Sequence, residues 1–207
     1  MEIIPTILTA SVGELKQKLE YLKGKDNWVQ IDVVDGKFAD NKTFPLEELN
    51  NNFNESYYWD LHLMVDNPFS WIERCNLIFA QRISAHIEKM DSQLDYIDRV
   101  KCEGIQAGLA VDLPTSIADL NPDAVYNADM VLLLSVKAGF SGQEFDSSVM
   151  TKLDELIALR EDLQAGFQIG MDGGVKKEHL SLLEQSGVDI VYMGTSYWSE
   201  ADFRNRV

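Results

Sequence analysis

Cysteine is scarce in this chain of 207 residues, with only Cys75 and Cys102 present. Both fall in segments of helical periodicity and neither has metal-like spacing, so two lone thiols fit a reducing, cytoplasmic setting better than a disulfide framework. Cations are scarce as well: 18 Lys and Arg stand against 34 Asp and Glu, a formal net charge of -16. With no basic cluster to offset that background, general affinity for nucleic acid or anionic membranes is not expected, and any anionic substrate must be held locally. No apolar run approaches the length of a membrane span, and Met1-Glu2-Ile3-Ile4-Pro5 lacks the positive region and long apolar core of a signal peptide, so a soluble protein is expected. Linkers, solenoid-length repeats and low-complexity tracts are also missing. One domain over residues 1–207 is therefore expected, and 45% hydrophobic residues suffice for one sizeable core.

What the chain does have is alternation between short apolar runs and longer amphipathic stretches, the pattern of a parallel sheet. Strands are expected at 3–8, 28–33, 58–64, 82–86, 107–111, 130–136, 166–171 and 190–193. Helices are expected at 15–22, 69–79, 94–102, 149–163 and 178–185, where apolar residues recur at three- and four-residue steps. The Asn-rich stretch 50–54 reads as the end of a short helix. Only nine residues follow Trp198, so the eighth helix is expected to be one or two turns. An open doubly wound sheet shares this alternation with a (β/α)8 barrel. Asp32, His62, His86 and Asp172 lie at or near strand ends, which favours the barrel, where functional residues gather at the carboxyl ends of strands.

Two Asp-Gly steps close apolar runs, at Val29-Gln30-Ile31-Asp32-Val33-Val34-Asp35-Gly36 and at Phe167-Gln168-Ile169-Gly170-Met171-Asp172-Gly173-Gly174. Each reads as a buried strand stopping at a carboxylate, so Asp32 and Asp172 could face each other across one site. Asp35 fits a plain turn. His62 in an apolar strand is by default a satisfied core histidine, but Asp60 and Met64 share its strand face, which favours a polar inward site. The four tryptophans sit in different elements and read as core or interface rather than a stacking platform. His179 is expected to face solvent or cap its helix.

These segments resemble, in order, those of the ribulose-phosphate 3-epimerase family. Ile4-Pro5-Thr6-Ile7-Leu8 is similar to the family's Pro-Ser-Ile-Leu, Ile31 through Gly36 to its Asp-Val-Met-Asp-Gly, and His62-Leu63-Met64-Val65 to its His-Leu-Met-Val. Gly139-Phe140-Ser141-Gly142-Gln143 resembles its Gly-Phe-Gly-Gly-Gln loop, Asp172-Gly173-Gly174-Val175 its Asp-Gly-Gly-Val, and Gly194-Thr195-Ser196 its Gly-Ser-Ala. The resemblance implies a (β/α)8 barrel that epimerises a ketose phosphate at C3, as in D-ribulose 5-phosphate to D-xylulose 5-phosphate, in the pentose phosphate pathway. It also implies Asp32 and Asp172 as the proton-transfer pair acting through a metal-stabilised enediolate. The metal, Zn²⁺, Mn²⁺ or Fe²⁺, would be held by Asp32, His62 and Asp172 with a weak contact from Gln30. Thr6, Met64, Gly139, Ser141, Gly142, Gly173, Gly174, Gly194 and Thr195 would bind the phosphorylated sugar. Its phosphate would sit on backbone N–H groups after strands seven and eight, and the Gly139 to Gln143 loop would close as a flap. Self-association is common in the family, and exposed aromatics here permit it.

The chain departs from the family pattern at several positions. Gln30 stands where members place a metal-binding His, and a neutral amide is a poorer partner than imidazole for zinc or ferrous iron. Val34 and Leu134 replace Met, Ser11 an Asp, and Lys137-Ala138 a Glu-Pro. His86 is not read as a replacement ligand, because members also tend to carry a His near this strand end without using it as one. Two readings follow: an epimerase with altered metal dependence, or a non-catalytic phosphosugar-binding barrel that has lost efficient metal-dependent chemistry.

Overall fold

Eight apolar runs become strands because each carries inward and outward side chains that are both buried, a demand that only a sheet covered on two faces satisfies. The structure, a computed structural model, describes residues 1–52 and 57–199. Strands β1 (Glu2–Ile7), β2 (Trp28–Val34), β3 (Tyr58–Met64), β4 (Arg82–His86), β5 (Gln106–Val111), β6 (Met130–Leu134), β7 (Gln168–Asp172) and β8 (Ile190–Met193) form a closed parallel barrel in sequence order. The closing ladder pairs Glu2 with Ile190 and Pro5 with Met193. The sheet is thus a (β/α)8 barrel and not the open alternative.

Period-two alternation divides the apolar residues into two cores. Val29, Ile31, Val33, Leu61 and Leu63 point outward into the core beneath the helices, whereas Ile4, Val34, Met64, Leu132 and Tyr192 pack inside the barrel. The helices are α1 (Val12–Leu22), α2 (Glu48–Asn52), α3 (Ile72–Leu77), α4 (Gln93–Cys102), α5 (Pro122–Asn127), α6 (Val149–Leu163), α7 (Lys177–Gln185) and α8 (Thr195–Trp198). Side-chain oxygens of Ser11, Ser92 and Asn121 accept the amides of Glu14, Asp95 and Ala124, satisfying orphan donors at three helix starts.

Differences from expectation are local. The expected helix at 69–79 is a 3-10 turn, Pro68–Trp71, followed by α3, and the chain leaves through Phe79 at φ 58°. Helix α5 was not foreseen, because six residues are too few to show periodicity. Strand β6 stops at Leu134 and β7 runs to Asp172, which becomes its last residue. Helix α8 begins at Thr195. Residues 200–207, where an eighth helix after Trp198 was expected, and residues 53–54 of the Asn-rich stretch lie outside the described residues. Both cysteines are free, Cys75 buried and Cys102 exposed. Among the described residues no helix is long and apolar enough to cross a membrane.

Polar groups inside the barrel form two layers. Toward the amino ends of the strands, Arg82 donates to Asp60 Oδ2 through Nε at 3.0 Å and Nη2 at 2.6 Å, and the Tyr192 hydroxyl donates to the same oxygen at 2.5 Å. Toward the carboxyl ends lie Asp32, His62 and Asp172.

Candidate active site

The β2–β3 register sets Asp32 beside His62, and the β6–β7 register brings Asp172 to the end of its strand opposite Leu134. All three side chains turn into the barrel and are buried. His62 Nδ1 lies 3.0 Å from Asp32 Oδ1 and 3.6 Å from Asp172 Oδ2. Thr6 on β1 donates its hydroxyl to Asp32 Oδ2 at 2.9 Å. One ligand atom from each of Asp32, His62 and Asp172 falls within 4.8 Å of the others, an arrangement that could hold a metal ion.

Two carboxylates around one imidazole shift the protonation of Asp32 and His62. Burial pushes the Asp32 carboxyl up and the neighbouring Asp172 charge adds to this, against the hydrogen bonds from His62 and Thr6. For His62 burial alone would lower the pKa, but the Asp172 and Asp32 carboxylates beside its ring outweigh it and raise the value to about 9. Without a cation, His62 is therefore an imidazolium at neutral pH. The cluster already holds a positive charge where a metal would sit.

A cleft of about 820 Å³ opens over the cluster at the carboxyl ends of the strands. It is lined by Asp32, His62 and Asp172, by Thr6 and Met64, by Gly139, Ser141 and Gly142 of the β6–α6 loop, and by Gly173, Gly174, Gly194 and Thr195. Every residue expected at the site thus lines this cleft except Gln30. Gln30 shares the inward parity of Asp32 but sits one layer deeper, level with Asp60 on β3. It is fully buried, and its Oε1 has no hydrogen-bond partner among the described residues. A buried carbonyl oxygen lacking a donor is costly unless a cation or water answers it, and Oδ1 of its register partner Asp60 is orphaned in the same layer.

The glycines after β7 have a structural reason of their own. Gly174 adopts φ +60°, and a Cβ there would stand 2.4 Å from the Phe145 amide nitrogen, so only glycine lets the β6–α6 loop cross the β7–α7 turn. That turn lines the cleft with Gly194 and Thr195. Lys18, Lys176 and Lys177 line it too, adding local positive charge that the strand-end motifs did not reveal. Lys18 is buried and held by Glu14 at 2.7 Å.

Several plainer expectations hold. Asp35 accepts the amides of Lys37, Phe38 and Asp66, as a turn residue does. His179 Nδ1 accepts the Lys176 amide at 3.2 Å, capping α7. Trp59 and Trp198 are buried, and the Trp198 indole donates to the Thr6 carbonyl at 2.8 Å. Sequence reasoning missed the connection made by His86, whose Nε2 lies 2.9 Å from His62 Nε2. The available signal was Glu88 two residues on, since a carboxylate there can receive the other ring nitrogen.

Comparison with known proteins agrees with this geometry. Residues 2–198 match the model of the "Ribulose-phosphate 3 epimerase family". Ribulose-phosphate 3-epimerase of Aquifex aeolicus is 32% identical, covering 97% of this chain and 90% of its own length. The protein of that name from Treponema pallidum is 29% identical, covering 95% of this chain and 91% of its own. Among solved structures, thiamine phosphate pyrophosphorylase from Pyrococcus furiosus superimposes with a TM-score of 0.61 over 99% of this chain and 90% of its own; at 16% identity it shares the fold alone.

Proposed function

The chain belongs to the ribulose-phosphate 3-epimerase family, and from that premise we propose that it inverts C3 of a ketose phosphate, of the D-ribulose 5-phosphate to D-xylulose 5-phosphate type, with Asp32 and Asp172 moving the proton. The observation that carries the reading is a pair of buried carboxylates, from β2 and β7, that reach the same imidazole nitrogen at 3.0 and 3.6 Å inside one cleft. Inversion needs one group to remove the proton from one face of the carbon and another to return it from the opposite face. Burial raises the Asp32 carboxyl, the direction that helps one member of such a pair to begin protonated.

Asp32, His62 and Asp172 would hold a divalent cation, Zn²⁺, Mn²⁺ or Fe²⁺, with the Gln30 carbonyl as a weak fourth donor. The bound cation would supply Lewis-acid stabilisation of negative charge on the substrate's oxygens, worth several kcal/mol. Thr6 keeps Asp32 oriented by its hydroxyl. Main-chain amides around Gly173, Gly174, Gly194 and Thr195 would receive the phosphate, Met64 would border the sugar, and Gly139, Ser141 and Gly142 would fold over it and exclude water.

Purified protein incubated with ribulose 5-phosphate in D₂O should incorporate deuterium at C3 and contain stoichiometric divalent metal. Substrate binding without exchange, unchanged by Asp172→Asn, would point instead to a phosphosugar-binding barrel and end this reading.

A further inference from the structure

His86 and Glu88 have no part in the scheme above, yet they stand directly behind it. His86 is the last residue of β4 and wholly buried, with its ring 4.7 Å from that of Phe38. Its Nε2 faces His62 Nε2 at 2.9 Å, and its Nδ1 faces Glu88 Oε2 at 3.1 Å. The 3-10 turn Ile87–Lys89 brings Glu88 back beneath the ring. There the other carboxylate oxygen, Oε1, accepts the Asp112 amide at 2.9 Å, and Thr115 adds a side-chain hydrogen bond.

Donor and acceptor rules fix the direction of this chain. An ionised carboxylate only accepts, so His86 must donate from Nδ1. A neutral His86 then presents a lone pair at Nε2, and His62 must donate its own Nε2–H to it. The remaining nitrogen of His62, Nδ1, is the atom facing Asp32 and Asp172. The 2.9 Å approach of the two Nε2 atoms requires one to donate and the other to accept, consistent with this polarity.

We propose that Glu88 and His86 are positioning residues that lock His62 with Nε2–H turned away from the cleft and the Nδ1 lone pair presented to a cation between Asp32 and Asp172. This rests on the reading that the cluster holds a divalent metal. Outer partners of this kind typically change metal affinity by about 10–100-fold.

The isosteric variant Glu88→Gln makes the proposal sharp. Its single carbonyl oxygen is needed by the Asp112 amide, so the NH₂ group faces His86 and reverses the chain. His86 then carries its proton on Nε2 and drives His62 to the Nδ1–H form, which cannot ligate through that nitrogen. We expect Glu88→Gln to weaken cobalt(II) affinity, followed by visible absorption, about 10–100-fold and more than Glu88→Ala does, with metal-free melting temperatures alike. Long-range ¹H–¹⁵N NMR of the metal-free proteins should show His86 protonated on Nδ1 in the wild type and on Nε2 in Glu88→Gln. Cobalt binding by Glu88→Gln within twofold of wild type, or milder damage than in Glu88→Ala, overturns the proposal, as does a wild-type His86 protonated on Nε2. A correct NMR pattern in a wild type that binds no cobalt overturns the metal reading and this use of the relay with it, while leaving the hydrogen-bond direction standing.

Discussion

At the amino end of the barrel interior, Asp60 meets Arg82 and Tyr192 and its charge is answered within the fold; at the carboxyl end, Asp32 and Asp172 share one His62. Both layers bury ionised groups on the same strand, β3, two residues apart. The first layer answers its charge within the structure, since two guanidinium nitrogens and the Tyr192 hydroxyl converge on Asp60 Oδ2, leaving only Oδ1 without a hydrogen-bond partner among the described residues. The second carries more acid than base and is relieved by a proton on His62 or Asp32, or by a cation. The difference separates a plug that holds the barrel together from a site that trades stability for chemistry.

Substitutions at the two ends should therefore have opposite signatures. Asp172→Asn should lower C3 exchange by at least about 10³-fold while leaving the melting temperature unchanged or raised, since like-charge repulsion is removed. Retention of a tenth of the wild-type rate would sink the two-aspartate scheme. Asp60→Ala should do the reverse, costing about 3–5 kcal/mol in urea denaturation by leaving Arg82 buried and unpaired, with exchange per folded molecule little changed. A loss below 1 kcal/mol would show that the two layers do not differ as argued.

The next contrast is with pH. His62 in the metal-free fold has a pKa of about 9 against an ordinary value near 6.5, so its stabilisation is fully present below about pH 6.5 and fades as pH rises through 9. Between those limits the metal-free protein should lose on the order of 3 kcal/mol, and His62→Asn should abolish most of that slope. The smallest effect is expected from Gln30→His, which should tighten metal binding by roughly tenfold by replacing an amide with imidazole. Unchanged or weaker affinity, measured by calorimetry, would remove Gln30 from the donor set.

Which parts of this were legible in the sequence follows from range. The strands could be read because burial on both faces writes itself into consecutive residues, and Asp32 and Asp172 because each ends such a run. Helix α5 could not, since six residues carry too little period. Gln30 revealed its inward parity but not its depth, which depends on strand stagger around the whole barrel. The link between His62 and His86 was hidden for a similar reason. Residues 24 apart in the chain meet only after β3 and β4 pair. Glu88 beside them acquires meaning once a 3-10 turn folds it back.

The ladder between β1 and β8 joins Glu2 to Ile190, so the barrel's first and last strands wait for almost the whole chain before they can pair. During synthesis the growing sheet keeps two open edges until the final strand emerges. Thr6, which orients Asp32, accepts the Trp198 indole through its carbonyl, tying helix α8 to the first strand. A nascent protein therefore acquires its reaction centre and covers its open sheet edges in the same closing event.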